Sequence, residues 1–215
     1  MFFALVCFIF ISIGVSGQET YSTFYYQRAS LFEQLPIKST DIVFIGNSIV
    51  NGGEWSELLD NNNVKNRGIS GDVCKGVYDR LNTITKGEPS KIFLLIGVND
   101  LGRGGEPDSI VKGIGKIIDK IKAESPRTVI YLQSILPVND SFGMFSGHTN
   151  RWEEIKPLNE KLEELAKSKQ ATYIDLYSEF VEPGSDKLNS EFTNDGLHLL
   201  GKGYMKWAEI IKPYL

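Results

Sequence analysis

The sequence predicts an α/β protein, a three-layer α/β/α sandwich around a mostly parallel central sheet. Short β-branched or aromatic runs alternate along the chain with longer segments whose apolar residues recur at helical spacing. The short runs are apolar on successive residues, which is typical of parallel strands covered by helices on both faces. Strands and helices that alternate in this way form βαβ units. The strand candidates are residues 42–45, 92–96, 129–132 and 172–174, with 64–66 as a weaker candidate.

Three segments show the amphipathic pattern of a helix. Residues 108–122 carry six Ile or Val residues at helical spacing, and Pro107 just before them suits a helix start. Residues 152–169 place Leu and Ile on one face and Lys and Glu on the other. Residues 203–215 close the chain with a helix that bears Trp and Ile. These segments supply the outer layers of the predicted sandwich.

The first 17 residues differ in character from the rest. Residues 1–15 are almost wholly apolar, and the chain turns polar at Gln18, which small residues precede. This pattern is typical of a secretory signal peptide, although no Lys or Arg precedes the apolar run. The alternative is an uncleaved anchor, but the run is short of the ~20 residues that a spanning helix needs. We predict a signal peptide at residues 1–17, a single domain at residues 18–215, a secreted or periplasmic protein, and no stable membrane insertion after cleavage.

Composition narrows the classes of function. The 215 residues suffice for one domain with its own core. The formal net charge of −4 and the lack of a Lys/Arg run argue against a nucleic-acid partner. Because Cys7 lies in the predicted signal, Cys74 has no disulfide partner in the mature chain and is either a reactive thiol or a small buried residue. The few His and Cys residues do not indicate a metal site, and no cofactor is predicted.

Polar and glycine-containing clusters follow the predicted strands. They are residues 46–48, 66–72 and 97–100, and a further cluster, 195–198, lies near the C-terminus. In open parallel sheets the functional residues collect in loops at the carboxyl ends of the strands. The clusters together contain a hydroxyl, an imidazole, a carboxylate, an amide and several glycines. The sequence therefore predicts an active site at this edge of the sheet.

These clusters resemble the four blocks of the SGNH-hydrolase superfamily, also called the GDSL esterases. The signature Ser, Gly, Asn and His of that family correspond, in order, to Ser48, Gly71, Asn99 and His198. The resemblance extends from about residue 41 to the C-terminus. It implies the flavodoxin-like SGNH-hydrolase fold and a serine hydrolase that acts on carboxylic esters. Each block alone is weak evidence, whereas four blocks in the right order are strong evidence.

The resemblance implies a role for each residue. A serine hydroxyl needs a base to become a nucleophile, and His198 would take the proton of Ser48. A carboxylate on the other ring nitrogen fixes the tautomer, and the family's DxxH arrangement assigns this role to Asp195. The tetrahedral intermediate needs hydrogen-bond donors already in place. The family pattern supplies them from the backbone N–H groups of Ser48 and Gly71 and from the Asn99 side chain.

Other interpretations of single residues remain open at this stage. A serine after a strand is commonly a helix cap, and the Asp195–Gly196 pair could form an ordinary turn. His148 lies in a long polar loop, either as an exposed residue or at the border of the substrate cleft. Asn47 stands where the family usually has Asp, which removes a charge beside the nucleophile. The G-x-S-x-G elbow of α/β-hydrolases is absent, because Val50 occupies its last position.

The resemblance specifies the reaction more closely than the substrate. We expect a small-molecule or glycan ester, and we favour a carbohydrate O-acetylesterase with sialate O-acetyl groups as a leading candidate. The predicted export and the lack of a visible lid or lipid-binding helix support this preference. The alternative enzyme is a lysophospholipase or a lipid esterase similar to the acetylhydrolases of platelet-activating factor. An alternative of another class, suggested by Asn47, is an inactive hydrolase homologue that binds carbohydrate.

Overall fold

The computed structural model describes residues 21–215, and the predicted signal peptide lies outside the described residues. Five strands form the central sheet: β1 (Ile42–Gly46), β2 (Val64–Gly68), β3 (Lys91–Leu95), β4 (Val129–Gln133) and β5 (Thr172–Ile174). They pair in the order β2-β1-β3-β4-β5, and every pair is parallel. This is the flavodoxin-like strand order. The predicted fold class and all five strand candidates are confirmed, including the weaker one.

Helices cover both faces of the sheet. They are α1 (Thr23–Gln34), α2 (Ser48–Asn51), α3 (Trp55–Leu58), α4 (Cys74–Arg80), α5 (Asn82–Thr85), α6 (Val98–Gly102), α7 (Pro107–Glu124), α8 (Ser146–Thr149), α9 (Trp152–Ser168), α10 (Tyr177–Phe180) and α11 (Gly201–Ile211). Short 3₁₀ segments lie at Asp140–Phe142, Ser190–Phe192 and Lys212–Tyr214. The three predicted helices correspond to α7, α9 and α11, although the last changes to 3₁₀ geometry where Pro213 interrupts it. Sequence analysis did not predict α1.

A row of stacked aromatic rings crosses one face of the sheet. Phe44, Phe93 and Tyr131 occupy the same register position on β1, β3 and β4. Their ring centroids are 4.7 and 4.6 Å apart, and Trp55 of α3 stacks on Phe44 at 4.4 Å. Trp207 of α11 meets Trp55 edge-on at 4.6 Å. Aromatic pairs in these geometries stabilise a core beyond the area they bury. Helices α3 and α11 are thereby fixed against the sheet.

The opposite face is packed by aliphatic side chains of α7, which lies between α4 and α9. Ile114, Ile117 and Ile118 are fully buried there. Between residues 21 and 215, none of the helices combines the length and apolar character that crossing a bilayer requires.

A buried amide of α9 holds the chain just beyond β4. The Asn159 side chain accepts a hydrogen bond from the Ile135 N–H and donates one to the Ile135 carbonyl, both at 2.8 Å. Asn159 is 5% exposed, so water cannot readily replace these bonds. The loop that leaves β4 is therefore fixed by one side chain.

We predict that Asn159→Ala destabilises the protein by about 2–6 kcal/mol, because it leaves two buried backbone groups unsatisfied at roughly 1–3 kcal/mol each. Urea unfolding followed by circular dichroism measures the change. Glu160→Ala, at the exposed neighbouring position of the same helix, is the matched control and should shift stability by less than about 0.5 kcal/mol. Equal effects of the two substitutions would contradict the assigned role of Asn159.

Candidate active site

Ser48 lies immediately beyond β1, as the first residue of α2. The helix cap is not Ser48 but Asn47, whose Oδ1 accepts a hydrogen bond from the Ile49 N–H at 3.0 Å. Asn47 is fully buried, and its Nδ2 has no partner among the described residues. Because the neighbouring amide caps the helix, the Ser48 hydroxyl is free to point elsewhere. The interpretation of Ser48 as an ordinary helix cap is wrong.

A continuous hydrogen-bonded chain joins Ser48 to the C-terminal cluster. Ser48 Oγ lies 3.0 Å from His198 Nε2, across 150 residues of sequence. His198 Nδ1 lies 2.7 Å from Asp195 Oδ2. Asp195 Oδ1 also accepts the backbone N–H groups of Leu197 and His198, at 2.8 and 2.7 Å. The structure thus brings together the hydroxyl, imidazole and carboxylate that the sequence singled out.

The carboxylate of this chain is kept charged. Partial burial would raise the pKa of Asp195, but hydrogen bonds from the His198 and Leu197 backbone and from the His198 ring outweigh it and lower that pKa. Asp195 therefore stays ionised to lower pH than an ordinary Asp. An ionised carboxylate accepts the Nδ1 hydrogen of His198 and leaves Nε2 as the acceptor that faces Ser48.

The loop that carries Asp195 and His198 is itself anchored. The Gly196 N–H donates to Thr193 Oγ1 at 2.9 Å, and its carbonyl accepts the Asn139 N–H at 2.8 Å. Asn139 lies in the segment after β4, so the C-terminal loop is tied to the carboxyl end of the sheet. This tie positions the imidazole over the end of β1, where Ser48 begins α2.

Asn99 and Gly71 lie in the loops beyond β3 and β2. Asn99 is 6% exposed, and its Nδ2 donates to the Asp72 carbonyl at 2.8 Å. Gly71 has a φ of +77°, a conformation that favours glycine. The Arg103 guanidinium donates to the Gly71 carbonyl at 2.6 Å. The two predicted oxyanion donors are therefore linked through the adjacent Asp72 backbone.

A buried ion pair connects these loops to the sheet. Arg80 Nε lies 2.9 Å from Asp72 Oδ2, and both side chains are almost completely buried. Arg80 Nη2 also donates to the carbonyl of Gly46, the last residue of β1, at 3.2 Å. Cys74, at the start of α4, donates its backbone N–H to the Asp100 carboxylate of α6 at 3.1 Å. The ends of β1, β2 and β3 are thus cross-linked by polar contacts.

Cys74 is buried and unpaired with another cysteine. Burial and then the nearby Asp100 raise the pKa of its thiol well above the ordinary value. A thiol that stays protonated at neutral pH is a poor nucleophile. Of the two interpretations from sequence, the structure supports the small buried residue.

His148 also lies at the site, and sequence analysis did not identify the contact that it makes there. It lies in α8, is half-buried, and places Nε2 3.0 Å from Asn99 Oδ1. It therefore borders the candidate site rather than projecting from an exposed loop. The available signal was weak: His148 is the only other His of the sequence and lies in the segment that follows β4.

A cleft beside Gly71 was also missed, because it depends on α1. The cavity has a volume of about 690 Å³. Its walls combine aromatic and polar side chains from α1, the end of α2, the loop after β2 and the end of α6. The lining includes Phe24, Asn51, Ser70 and Arg103. In residues 21–215, no group of three or more His, Cys, Asp or Glu side chains is placed to hold a metal ion.

The sequence profile of the GDSL-like lipase/acylhydrolase family matches residues 44–206. The chain belongs to this family. The matched segment spans the ends of β1, β2 and β3 and the cluster at 195–198, so it contains every residue of the hydrogen-bonded chain described above. Membership makes the protein an ester hydrolase and confirms the resemblance that the four blocks indicated. No curated protein gave a match.

Solved structures of other proteins share the fold. A Streptococcus pneumoniae protein provisionally named a platelet activating factor is 28% identical, with 89% of this chain and 92% of that chain covered and a TM-score of 0.80. A GDSL-like lipase from Bacteroides thetaiotaomicron is 24% identical, with coverage of 88% and 96% and a TM-score of 0.76. A catalytic mutant of an acetylxylan esterase from Geobacillus stearothermophilus is 16% identical, with coverage of 81% and 93% and a TM-score of 0.65. The last two show the common fold alone.

We predict that Asp195→Asn lowers kcat by roughly 10³–10⁴-fold in this GDSL-family hydrolase. The new amide can still accept the backbone N–H groups of Leu197 and His198, but its NH₂ would face His198 Nδ1. That ring would then carry its hydrogen on Nε2 and could not accept the Ser48 proton. Hydrolysis of p-nitrophenyl acetate measures the loss, and Asp186→Asn, on the surface, is the control. A fall of less than tenfold would contradict an orienting role for Asp195 in this hydrogen-bonded chain.

Proposed function

We propose that the protein is a serine esterase that removes short acyl groups, above all acetyl, from carbohydrates. The supporting observation is the unbroken hydrogen-bonded chain Ser48–His198–Asp195. In this proposal Ser48 is the nucleophile, His198 is the general base and Asp195 orients the imidazole. The oxyanion hole consists of the Ser48 and Gly71 backbone N–H groups and the Asn99 side-chain amide.

In the first half of the reaction the enzyme is acylated. His198 Nε2 takes the hydroxyl proton of Ser48 while Oγ attacks the ester carbonyl carbon. The carbonyl oxygen becomes an oxyanion and receives hydrogen bonds from the three proposed donors, which must be in place beforehand to stabilise the charge. When the tetrahedral intermediate collapses, the bond to the sugar oxygen breaks and His198 gives its proton to that oxygen. The alcohol leaves, and the acyl group remains on Ser48.

In the second half a water molecule replaces the alcohol. His198 takes a proton from the water, whose oxygen attacks the acyl carbon and forms a second oxyanion in the same hole. Collapse breaks the bond to Ser48 Oγ, and His198 returns its proton to that oxygen. The products are the free acid and the regenerated enzyme. Each step uses one base and one set of donors, which fits the single imidazole, that of His198, in contact with Ser48.

The cleft beside Gly71 supports a carbohydrate substrate. Phe24 is 41% exposed and offers an apolar face to the cavity, while Asn51 and Ser70 add amide and hydroxyl groups. Sugar rings have both apolar C–H faces and hydroxyl groups, so a wall of aromatic and polar side chains matches them. Binding sites in general combine an apolar wall with a few placed polar groups. The acetyl group of a sugar held here would approach Gly71 and the proposed oxyanion hole.

Arg103 supports the preference for an acidic sugar. Its exposed side chain lines the same cleft, where its Nη2 donates to the Gly71 carbonyl and its charge acts on the Asp100 carboxylate. A guanidinium recognises a carboxylate through charged hydrogen bonds of defined geometry. We therefore propose O-acetylated sialic acid as the leading substrate, with the sugar carboxylate on Arg103.

A lipid ester is the second candidate, and a different surface favours it. Met144 and Phe145, in the segment before α8, are 48% and 43% exposed. The Phe145 ring lies 5.1 Å from the His198 ring, centroid to centroid. An exposed apolar edge beside the imidazole could hold an acyl chain or a lipid tail. A marked preference for long over short acyl esters would favour this candidate over the carbohydrate esterase.

We also propose that the protein is exported from the cell. The apolar character of residues 1–15 and the polar switch at Gln18 support a secreted or periplasmic location, where the enzyme would meet extracellular glycans.

We predict that Ser48→Ala abolishes turnover of p-nitrophenyl acetate, with a loss of roughly 10⁴-fold or more, because no other group in the hydrogen-bonded chain Ser48–His198–Asp195 can form the acyl-enzyme. Ser168→Ala, at the exposed end of α9, is the matched control and should retain kcat within a few-fold. Equal rates for wild type and Ser48→Ala would refute the serine-esterase proposal and leave an inactive, carbohydrate-binding homologue as the better explanation.

We predict that Arg103→Gln lowers kcat/KM for O-acetylated sialic acid by roughly 10–100-fold, as expected for a lost charged hydrogen bond. Glutamine keeps an N–H donor for the Gly71 carbonyl but removes the charge. Acetate release from acetylated xylooligosaccharides, which lack the carboxylate, should fall by less than about threefold. Equal losses on both substrates would show that Arg103 supports Gly71 and does not select the sugar.

A further inference from the structure

The contact between His148 and Asn99 determines which way each side chain is oriented. The Asp72 carbonyl can only accept a hydrogen bond, so the NH₂ group of Asn99 must face it, at 2.8 Å. The oxygen of the same amide then faces His148 Nε2, at 3.0 Å. Because an amide oxygen only accepts, Nε2 of His148 must carry a hydrogen and donate it.

The fold holds the His148 ring in this position. The ring packs against Gly102 of α6, where a Cβ would overlap the imidazole. The backbone N–H of His148 donates to the Phe145 carbonyl at 2.7 Å. Phe145 adopts a φ of +51°, which is uncommon for a residue with a side chain. Thr149 Oγ1 bonds the Met144 carbonyl at 2.9 Å. A backbone in this strained conformation is maintained by its surroundings.

The charges around His148 favour its neutral form. Burial lowers the pKa of the ring, and the positive Arg103 and the His198 imidazole lower it further. Arg151, in the turn after α8, is paired with Glu154. A neutral imidazole has one N–H, and the Asn99 oxygen selects Nε2 to carry it.

We propose that His148 is a positioning residue of the oxyanion hole, whose Nε2–H holds the Asn99 amide oxygen and so directs the second Nδ2–H toward the substrate oxyanion. This rests on the proposed role of Asn99. One Nδ2 hydrogen is committed to the Asp72 carbonyl, and the other is available to the reacting carbonyl oxygen. A hydrogen bond received at Oδ1 also polarises the amide and strengthens the bond that Nδ2 donates.

The first test removes the donor and then restores it. His148→Phe keeps a ring but loses the N–H, and kcat for p-nitrophenyl acetate should fall about tenfold with KM changed less than twofold. This is smaller than the roughly 10²–10³-fold loss expected when Asn99→Ala removes a direct oxyanion donor. His148→Gln presents an NH₂ donor and should recover kcat to within about threefold of wild type. Equal losses in the Phe and Gln variants would contradict the hydrogen-bonding role.

A double-mutant cycle separates positioning from general support of the fold. If His148 acts through Asn99, then His148→Phe in the Asn99→Ala background should change kcat by less than about twofold. A further tenfold loss in that background would overturn the proposal. Failure of the serine-esterase proposal is distinguished by Ser48→Ala, which would then retain wild-type turnover.

Gly102→Ala provides a second variant that leaves His148 unchanged. Its methyl group would push the ring away from Asn99, so kcat should again fall about tenfold with little change in KM. Gly201→Ala is the matched control, because a Cβ there meets nothing within 4 Å. Wild-type kcat in Gly102→Ala, with folding verified by circular dichroism, would show that the ring position is not required.

Discussion

A parallel sheet ends all its strands at one edge, and the strand order β2-β1-β3 places three of those ends side by side. β1 leads to Ser48, β2 to Gly71 and β3 to Asn99, so the candidate nucleophile and both additional donors come from adjacent loops. The chain then needs to bring one imidazole and one carboxylate to this edge. The cluster at 195–198 supplies both within a single turn, which makes their mutual geometry a local property of that turn.

Loops that carry donors must be rigid, because an oxyanion hole stabilises charge only if its dipoles are already oriented. Here the rigidity comes from buried polar contacts. Arg80 joins the Asp72 carboxylate to the Gly46 carbonyl, and so links β2 to β1. The backbone carbonyl of Asp72 then fixes the amide of Asn99 beyond β3. Removing one partner of the buried Arg80–Asp72 pair would leave an uncompensated charge and would strongly destabilise the protein.

The sequence predicted those parts of the molecule that depend on local pattern. Strands buried on both faces are apolar on successive residues, and α7 has a well-defined apolar stripe. Helix α1 was missed because it buries little: Tyr25 and Phe32 face the protein, whereas other aromatic residues of the helix are exposed. Its signal was Ser22, whose side chain caps the helix. The His148–Asn99 contact could not be predicted, since it joins residues 49 apart through a loop whose course is set by tertiary packing.

The two imidazoles of the site carry opposite tautomers, and in each case an oxygen acceptor selects the tautomer. Asp195 takes the Nδ1 hydrogen of His198, which leaves Nε2 free to accept the Ser48 proton. Asn99 takes the Nε2 hydrogen of His148. Protonation has opposite consequences for the two rings. A further proton would occupy the His198 nitrogen that faces Ser48, whereas it would leave the bond from His148 Nε2 to Asn99 intact. Burial and the neighbouring Arg103 and His198 lower the pKa of His148, which favours a neutral ring with its single N–H on Nε2, where Asn99 accepts it.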